Sequence, residues 1–288
     1  MAKEKFKDRL KILFVAPELA PLAKAGGLAD VVGSLPKSLA QDYHLEIKII
    51  IPKYKCINEK ENSLEEIIHG IRLRMPNRQF KKVNVLKTYL PDTIIPIYLI
   101  EMPDLFQGEG VYEHGVQGRE SIIPFVYFSK AALELIRAMD WLPDIIHLHD
   151  WTPAIIPKWL NTIYKDNNFF KKTATITTIH NIAFQGKIEY SQAKLLGLKR
   201  GQLKDPFKLN WQKEINILGE AILNSDMINT VSPTYAKELL TNKYGVGLQK
   251  LLRSRKKNFT GILNGIDYSN FDPRNNEDTP VKYWIDDL

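Results

Sequence analysis

The sequence predicts an α/β fold with a mainly parallel sheet and helices on both faces, and three observations lead there. Short β-rich apolar runs alternate with stretches of helical period along the chain, the pattern of parallel strands joined by helical crossovers. Several of those runs, EIKIII at 46–51 among them, are apolar at successive positions, as in strands covered on both sides. Glycines and polar side chains fall just past the ends of the runs, where open parallel sheets bind ligands.

Residues 11–16 (KILFVA) form the first strand, stopped by Pro17. Over 28–40, Leu28, Val31, Val32, Leu35 and Leu39 keep a helical spacing, and Pro36 inside it predicts a kink or an early stop. The strand at 46–51 is closed by Pro52, and further strands are expected at 84–89 and 95–100. Residues 62–83 and 101–120 lack a period and are expected as insertions or long loops. Ile122, Phe125, Val126, Ala132, Leu133 and Ile136 mark a long buried helix over 121–139. A strand at 144–148 precedes a helix over 153–164, with Pro153 suited to its first turn. Then follow a strand at 174–179, a helix over 212–224, a strand at 227–231, a helix over 233–241 and a strand at 259–263. Ser232 is the expected N-cap of the 233–241 helix and Pro233 its first residue. Beyond 270 the chain is polar and aperiodic, as a linker would be.

The chain has 288 residues, enough for one large or two small domains. Its 44% hydrophobic and 25% charged residues exclude a disordered chain, a collagen-like repeat and a coiled coil. Forty Lys plus Arg against 33 Asp plus Glu leave a formal charge of +7, too mild to imply nucleic acid but compatible with an anionic small substrate. The basic run Arg253, Arg255, Lys256 and Lys257 lacks interleaved aromatics and is expected to solvate a helix end. A single cysteine, Cys56, excludes an intrachain disulfide and a cysteine-based zinc site. No apolar run reaches about 18 residues, and the charged N-terminus has no long apolar core, so no membrane partner and a cytoplasmic location are expected.

Four clusters could carry chemistry. After the first strand, Lys24 precedes Gly26 and Gly27 and a helix follows at once. Glycines let a ligand approach the backbone, and a helix N-terminus with a nearby ammonium suits a phosphate; a tight turn with a solvated lysine fits equally well. Asp30 falls in that helix's first turn, where the dipole favours a carboxylate, and Glu18 could accept sugar hydroxyls or simply sit on the loop surface. The second cluster is His147, His149, Asp150 and Trp151. Strand alternation puts the two histidines on one face. A metal site is disfavoured because no further acidic or histidine cluster completes it. Asp150 could bind hydroxyls and Trp151 could stack on a sugar, or the pair could be an N-cap and a packed indole. The third is His180 and Asn181, followed by Phe184 and Gly186. The fourth is Asn264 before Gly265, which also has the form of a turn.

Together these stretches resemble the bacterial glycogen synthase and plant starch synthase family. The likeness rests on PELAPLAKAGGLADVVGSLPKSL, HLHDWTPAIIP, TIHNIAFQGKI, AILNSDMINTVSPTYAKEL and GILNGIDYSNFDP, in the family's order from about residue 10 to 273. It departs at Thr152, where the family often has His, and over 107–125. The resemblance implies a two-domain GT-B glycosyltransferase that moves glucose, with retention, from ADP-glucose to the 4-hydroxyl at the non-reducing end of an α-1,4-glucan. It implies no cofactor. Lys24 and the Gly26–Gly27 backbone would meet the donor phosphates. Asp30 and Asp150 would be essential polar groups of the cleft, His180 would lie near the transferred glucose, and Asn264 would line the cleft near the domain junction. By this likeness 10–273 is an N-terminal Rossmann-like domain and 274–288 a truncated interdomain linker. The second domain, with the Arg-Lys pair and the Glu of the family's site, would lie outside this sequence. The chain would then be a fragment, a truncated gene product or half of a split enzyme partnered by a separate C-terminal-half chain, and inactive alone. A non-catalytic glucan-binding module and a GT-B transferase for another nucleotide sugar are the alternatives; a nicotinamide dehydrogenase lacks its glycine fingerprint here.

Overall fold

The computed structural model describes residues 9–102, 104–106, 108, 110–112, 122–203, 214–274 and 279–287. The chain begins with β1 (Leu10–Val15), α1 (Gly27–Leu39) and β2 (Leu45–Pro52). Then come β3 (Glu65–Arg74), β4 (Phe80–Tyr89), β5 (Pro96–Glu101) and α2 (Ile122–Ala138). The centre holds β6 (Ile145–His149), α3 (Ile156–Leu160) and β7 (Ala174–Ile179). A short pair, β8 (Lys187–Glu189) and β9 (Glu214–Asn216), leads into α4 (Ile217–Asn224), β10 (Met227–Thr230) and α5 (Pro233–Leu239). The last elements are α6 (Gln249–Ser254), β11 (Phe259–Gly261) and α7 (Tyr268–Phe271).

Nine strands make one sheet in the order β11-β10-β7-β6-β1-β2-β5-β4-β3. Every pairing from β11 to β5 is parallel, and β4 and β3 continue the edge antiparallel. In β1, Leu13, Phe14 and Val15 are fully buried, which is why those successive positions are all apolar. Removing each such side chain from water contributes about 1.5–3 kcal/mol.

Helices cover both faces. Register aligns Phe14 with His147 and Ile49, and α1 lies over that face, its Val31 and Leu35 walling a groove that also holds His147 and His149. The opposite face carries Ile100 and Ile228, met by α2 and α4 respectively. No helix among the described residues is long and apolar enough to cross a membrane.

Four local expectations are corrected. Residues 62–83 are not a loop, because β3 and the start of β4 form an antiparallel hairpin there. Two register shifts, with Gly70 at φ +67, break the period-two pattern that would have marked β3. α1 runs through buried Pro36 to Leu39, so there is no early stop. The helix expected over 153–164 shrinks to 156–160, with Pro157 rather than Pro153 in its first turn. The helix expected over 212–224 starts only at Ile217, because 214–216 pair with β8 and the Asn216 side chain caps α4 by accepting from Gly219 N at 2.8 Å. Ser232 does cap α5, accepting from Tyr235 N at 2.9 Å. Most of 107–121 lies outside the described residues, as do 275–278; Val281 and Ile285 are exposed.

Candidate active site at the carboxyl ends of β1, β6 and β7

Three adjacent parallel strands end at one edge of the sheet, and the chain leaves each through polar residues. After β1, Glu18 is buried and fully engaged. Its Oε2 accepts from the backbone N–H of Ala25 at 2.7 Å and of Gly26 at 2.8 Å, and its Oε1 accepts from the Tyr112 hydroxyl at 2.6 Å. Glu18 therefore braces the glycine turn from inside. Lys24, on the outside, is bonded to Asp30 in the first turn of α1, Nζ to Oδ1 at 2.7 Å. Their side chains keep 49% and 32% of their exposure.

Gly26 caps α1 in an extended conformation and offers no side chain to its amides. A Cβ placed on Gly26 or Gly27 would meet nothing within 4 Å. The helix end thus presents backbone and partial positive charge to open space, an arrangement suited to an anion. Gly33, one face further along, is tight: its Cβ would come within 2.7 Å of the Ala20 carbonyl, so the helix sits close on the turn.

The ends of β6 and β7 form a denser corner. Asp150 leaves β6 at φ 57, a left-handed conformation that Asp tolerates better than most residues. There its Oδ1 accepts from the N–H of His180 at 2.7 Å and of Asn181 at 3.2 Å, tying the two strand ends together. Burial pushes the Asp150 carboxyl up to about 7, opposed by those two hydrogen bonds and aided by the Glu18 charge. The Glu18 charge thus couples this corner to the glycine turn.

His147, His149 and His180 stand side by side, ring centroids 4.3 Å and 5.3 Å apart, with Phe14 against the first two. His149 Nδ1 lies 3.0 Å from His180 Nε2. Burial holds His147 down at about 3, His180 at about 4 and His149 well below the ordinary range, so all three are neutral near pH 7. Among the described residues no set of three His, Cys, Asp or Glu is arranged to hold a metal ion.

Trp151 is half-buried, edge-on to Phe125 at 5.2 Å and packed on Gly186, where a Cβ would come within 2.4 Å of the indole. Thr152, next in the chain, is buried. Asn181 is exposed, its Oδ1 accepting from Ala183 N at 3.0 Å. Asn264 stands apart, on the wall of a groove of about 620 Å³ beside α1 that shares His147 and His149 with the corner. No sequence signal marks Tyr112, which donates to Glu18, Thr178, which is bonded to His147, or Asn229, which accepts from Thr178. Only spatial proximity identifies them.

A family model described as the starch synthase catalytic domain matches residues 11–254. The glycogen synthase of Thermosipho melanesiensis is 37% identical over 279 residues, covering 97% of this chain and 56% of that protein. The glycogen synthase of Moorella thermoacetica is 40% identical over 283 residues, 97% of this chain and 55% of that one. Among solved structures, the catalytic domain of starch synthase IV from Arabidopsis thaliana, bound to ADP and acarbose, matches with a TM-score of 0.86 and 31% identity. That match covers 96% of this chain and 56% of the other. The chain spans about half the length of the relatives it matches.

Proposed function

The chain belongs to the starch synthase catalytic domain family, and from that premise we propose that it forms one wall of the active site of a retaining glucosyltransferase. The donor is ADP-glucose, the acceptor the non-reducing end of an α-1,4-glucan, and the setting the cytoplasm. A second Rossmann-like domain, continuous or supplied as a separate chain, forms the facing wall.

The observation that carries this reading is that an anion-ready helix end and a half-buried carboxylate and histidine lie at one sheet edge. Transfer leaves a nucleoside diphosphate, so negative charge grows on the phosphate next to the breaking bond. Lys24 and the amide of Gly27 can meet that charge beside the Gly26 amide that Glu18 holds, which lowers the barrier only so far as they bind it more tightly than the ground state. Asp30 keeps the ammonium over the turn. Asp150 fixes the backbone of His180 and Asn181, whose side chains are left for sugar hydroxyls. In this reading Asn264 lines the cleft towards the second domain. The relatives named as glycogen synthases and the neighbour bound to ADP are consistent with this donor and acceptor.

The test is transfer of labelled glucose to glycogen from ADP-glucose, and from UDP-glucose in parallel. The chain alone is expected to give no appreciable transfer, because half the charge-stabilising wall is missing and water weakens the rest. Adding a matching second domain, in trans or fused after Leu288, is expected to restore turnover with ADP-glucose. Robust transfer by the chain alone would overturn the half-site reading. Failure of an assembled pair that still binds glucan would favour a non-catalytic glucan-binding module.

A further inference from the structure

His149 is fully buried at the end of β6 and has no part in the chemistry above. Its Nδ1 faces His180 Nε2 at 3.0 Å. Two neutral imidazoles at that distance share one hydrogen, so one ring donates and the other accepts. If His180 donated, His149 would carry its own hydrogen on Nε2. That nitrogen is buried without a hydrogen-bond partner among the described residues, and an orphaned buried N–H is a rare and costly defect. Thr178, the neighbour of His149 in register, offers no relief. Its one hydroxyl hydrogen goes to Asn229 Oδ1 at 2.7 Å, and its oxygen accepts from His147 Nε2 at 2.7 Å. If His149 donates instead, only an unused lone pair is left inside. The Asp150 carboxylate, accepting from the His180 N–H, holds the two strand ends so that the rings stay in reach.

We infer that His149 is a positioning residue: it donates from Nδ1 to His180 Nε2, fixes the hydrogen of His180 on Nδ1, and so leaves His180 a hydrogen-bond donor for an oxygen of the bound sugar. The sugar rests on the function proposed above; the tautomer does not.

Long-range proton–nitrogen correlation spectra of the 288-residue chain, labelled with 15N-histidine, read the tautomer directly near neutral pH. His180 is expected to carry its hydrogen on Nδ1; a hydrogen on Nε2 in the unsubstituted chain overturns the inference. His149→Phe keeps a ring beside Phe14 but removes the donor, and is expected to return His180 to the Nε2–H form. His149→Asn keeps an N–H near the Nδ1 position and is expected to preserve Nδ1–H. Retention of Nδ1–H in His149→Phe would show that His149 is not its cause. In the assembled enzyme, His149→Phe is expected to lower kcat by roughly tenfold with the glucan KM little changed, and His149→Asn to recover most of the loss. Equal losses in the two variants would overturn the positioning role. An assembled enzyme without any transferase activity would refute the proposed function and leave the tautomer measurement standing.

Discussion

At the end of β1, Lys24, Gly26 and Gly27 face open space, with one exposed ion pair between Lys24 and Asp30. At the ends of β6 and β7, Asp150, His149 and His180 are packed against one another and bonded to backbone and ring partners of the same corner. The open half is incomplete without an anion, because its ammonium and the Gly27 amide at the helix end gain most when a charge arrives. The buried half must be complete before any ligand arrives, because a polar group shut away from water without a partner costs about 1–3 kcal/mol. Substitutions should therefore be felt as lost stability in the corner and as lost ligand binding in the turn.

The sharpest contrast is one chemical change made in both places. Gly186→Ala puts a Cβ into the Trp151 ring at a backbone φ of +60, and is expected to destabilise the chain by about 3 kcal/mol in urea unfolding. Gly26→Ala meets open space and is expected to cost under about 1 kcal/mol, while weakening the use of a diphosphate donor. Equal losses of stability would erase the distinction between the two regions.

Asp150→Ala removes the acceptor of two N–H groups at a left-handed position, with an expected cost of about 2–3 kcal/mol. Asp150→Asn keeps an acceptor oxygen and tolerates the same φ, so less than half that loss is expected from the same unfolding curves.

Acid separates the opposing titrations of the corner. Asp150, pushed up to about 7, binds its proton more tightly in the folded chain, so on its own it makes stability fall as pH rises from about 4 to 7. His147 at about 3, His180 at about 4 and His149 well below the usual value bind theirs less tightly when folded. Those three make stability fall as pH drops from 6.5. Three groups outweigh one, so the chain is expected to lose stability on acidification from 6.5 towards 4. Asp150→Asn should lose it more steeply, the opposing proton uptake being gone. Urea midpoints across that range check the sign, and a shallower loss in the variant would contradict the burial of Asp150.

The smallest stability effect belongs to Lys24→Ala. An ion pair this exposed is worth under about 1 kcal/mol, so unfolding should barely change. In the assembled enzyme the same substitution is expected to weaken donor use far more than glucan binding, by roughly tenfold or more for each charge-assisted hydrogen bond lost. Unchanged donor kinetics would leave Lys24 a solvated turn residue.

Some of this was legible from chain order alone. The Lys24–Gly27 turn, Asp30 and the Ser232 cap are each built from residues within about one turn of each other, so spacing reveals them. The central strands announce themselves because burial on both faces forces apolar residues at successive positions, as at Ile12–Val15 in β1 and Ile49–Ile51 in β2. β3 hid because it is an edge strand with little burial and a glycine bulge, which leaves no period to detect. The corner hid for a different reason. His149 meets His180 across 31 positions and Tyr112 meets Glu18 across 94, and nothing local marks either pairing. The residue types at the strand ends, and the sheet that aligns those ends, were within the reach of sequence, because periodicity and turn chemistry act over a few residues. Which lone pair faces which hydrogen, and which carboxylate braces a loop instead of binding a ligand, was decided only when parallel strands brought distant residues within hydrogen-bond reach and burial made every unmatched polar atom costly.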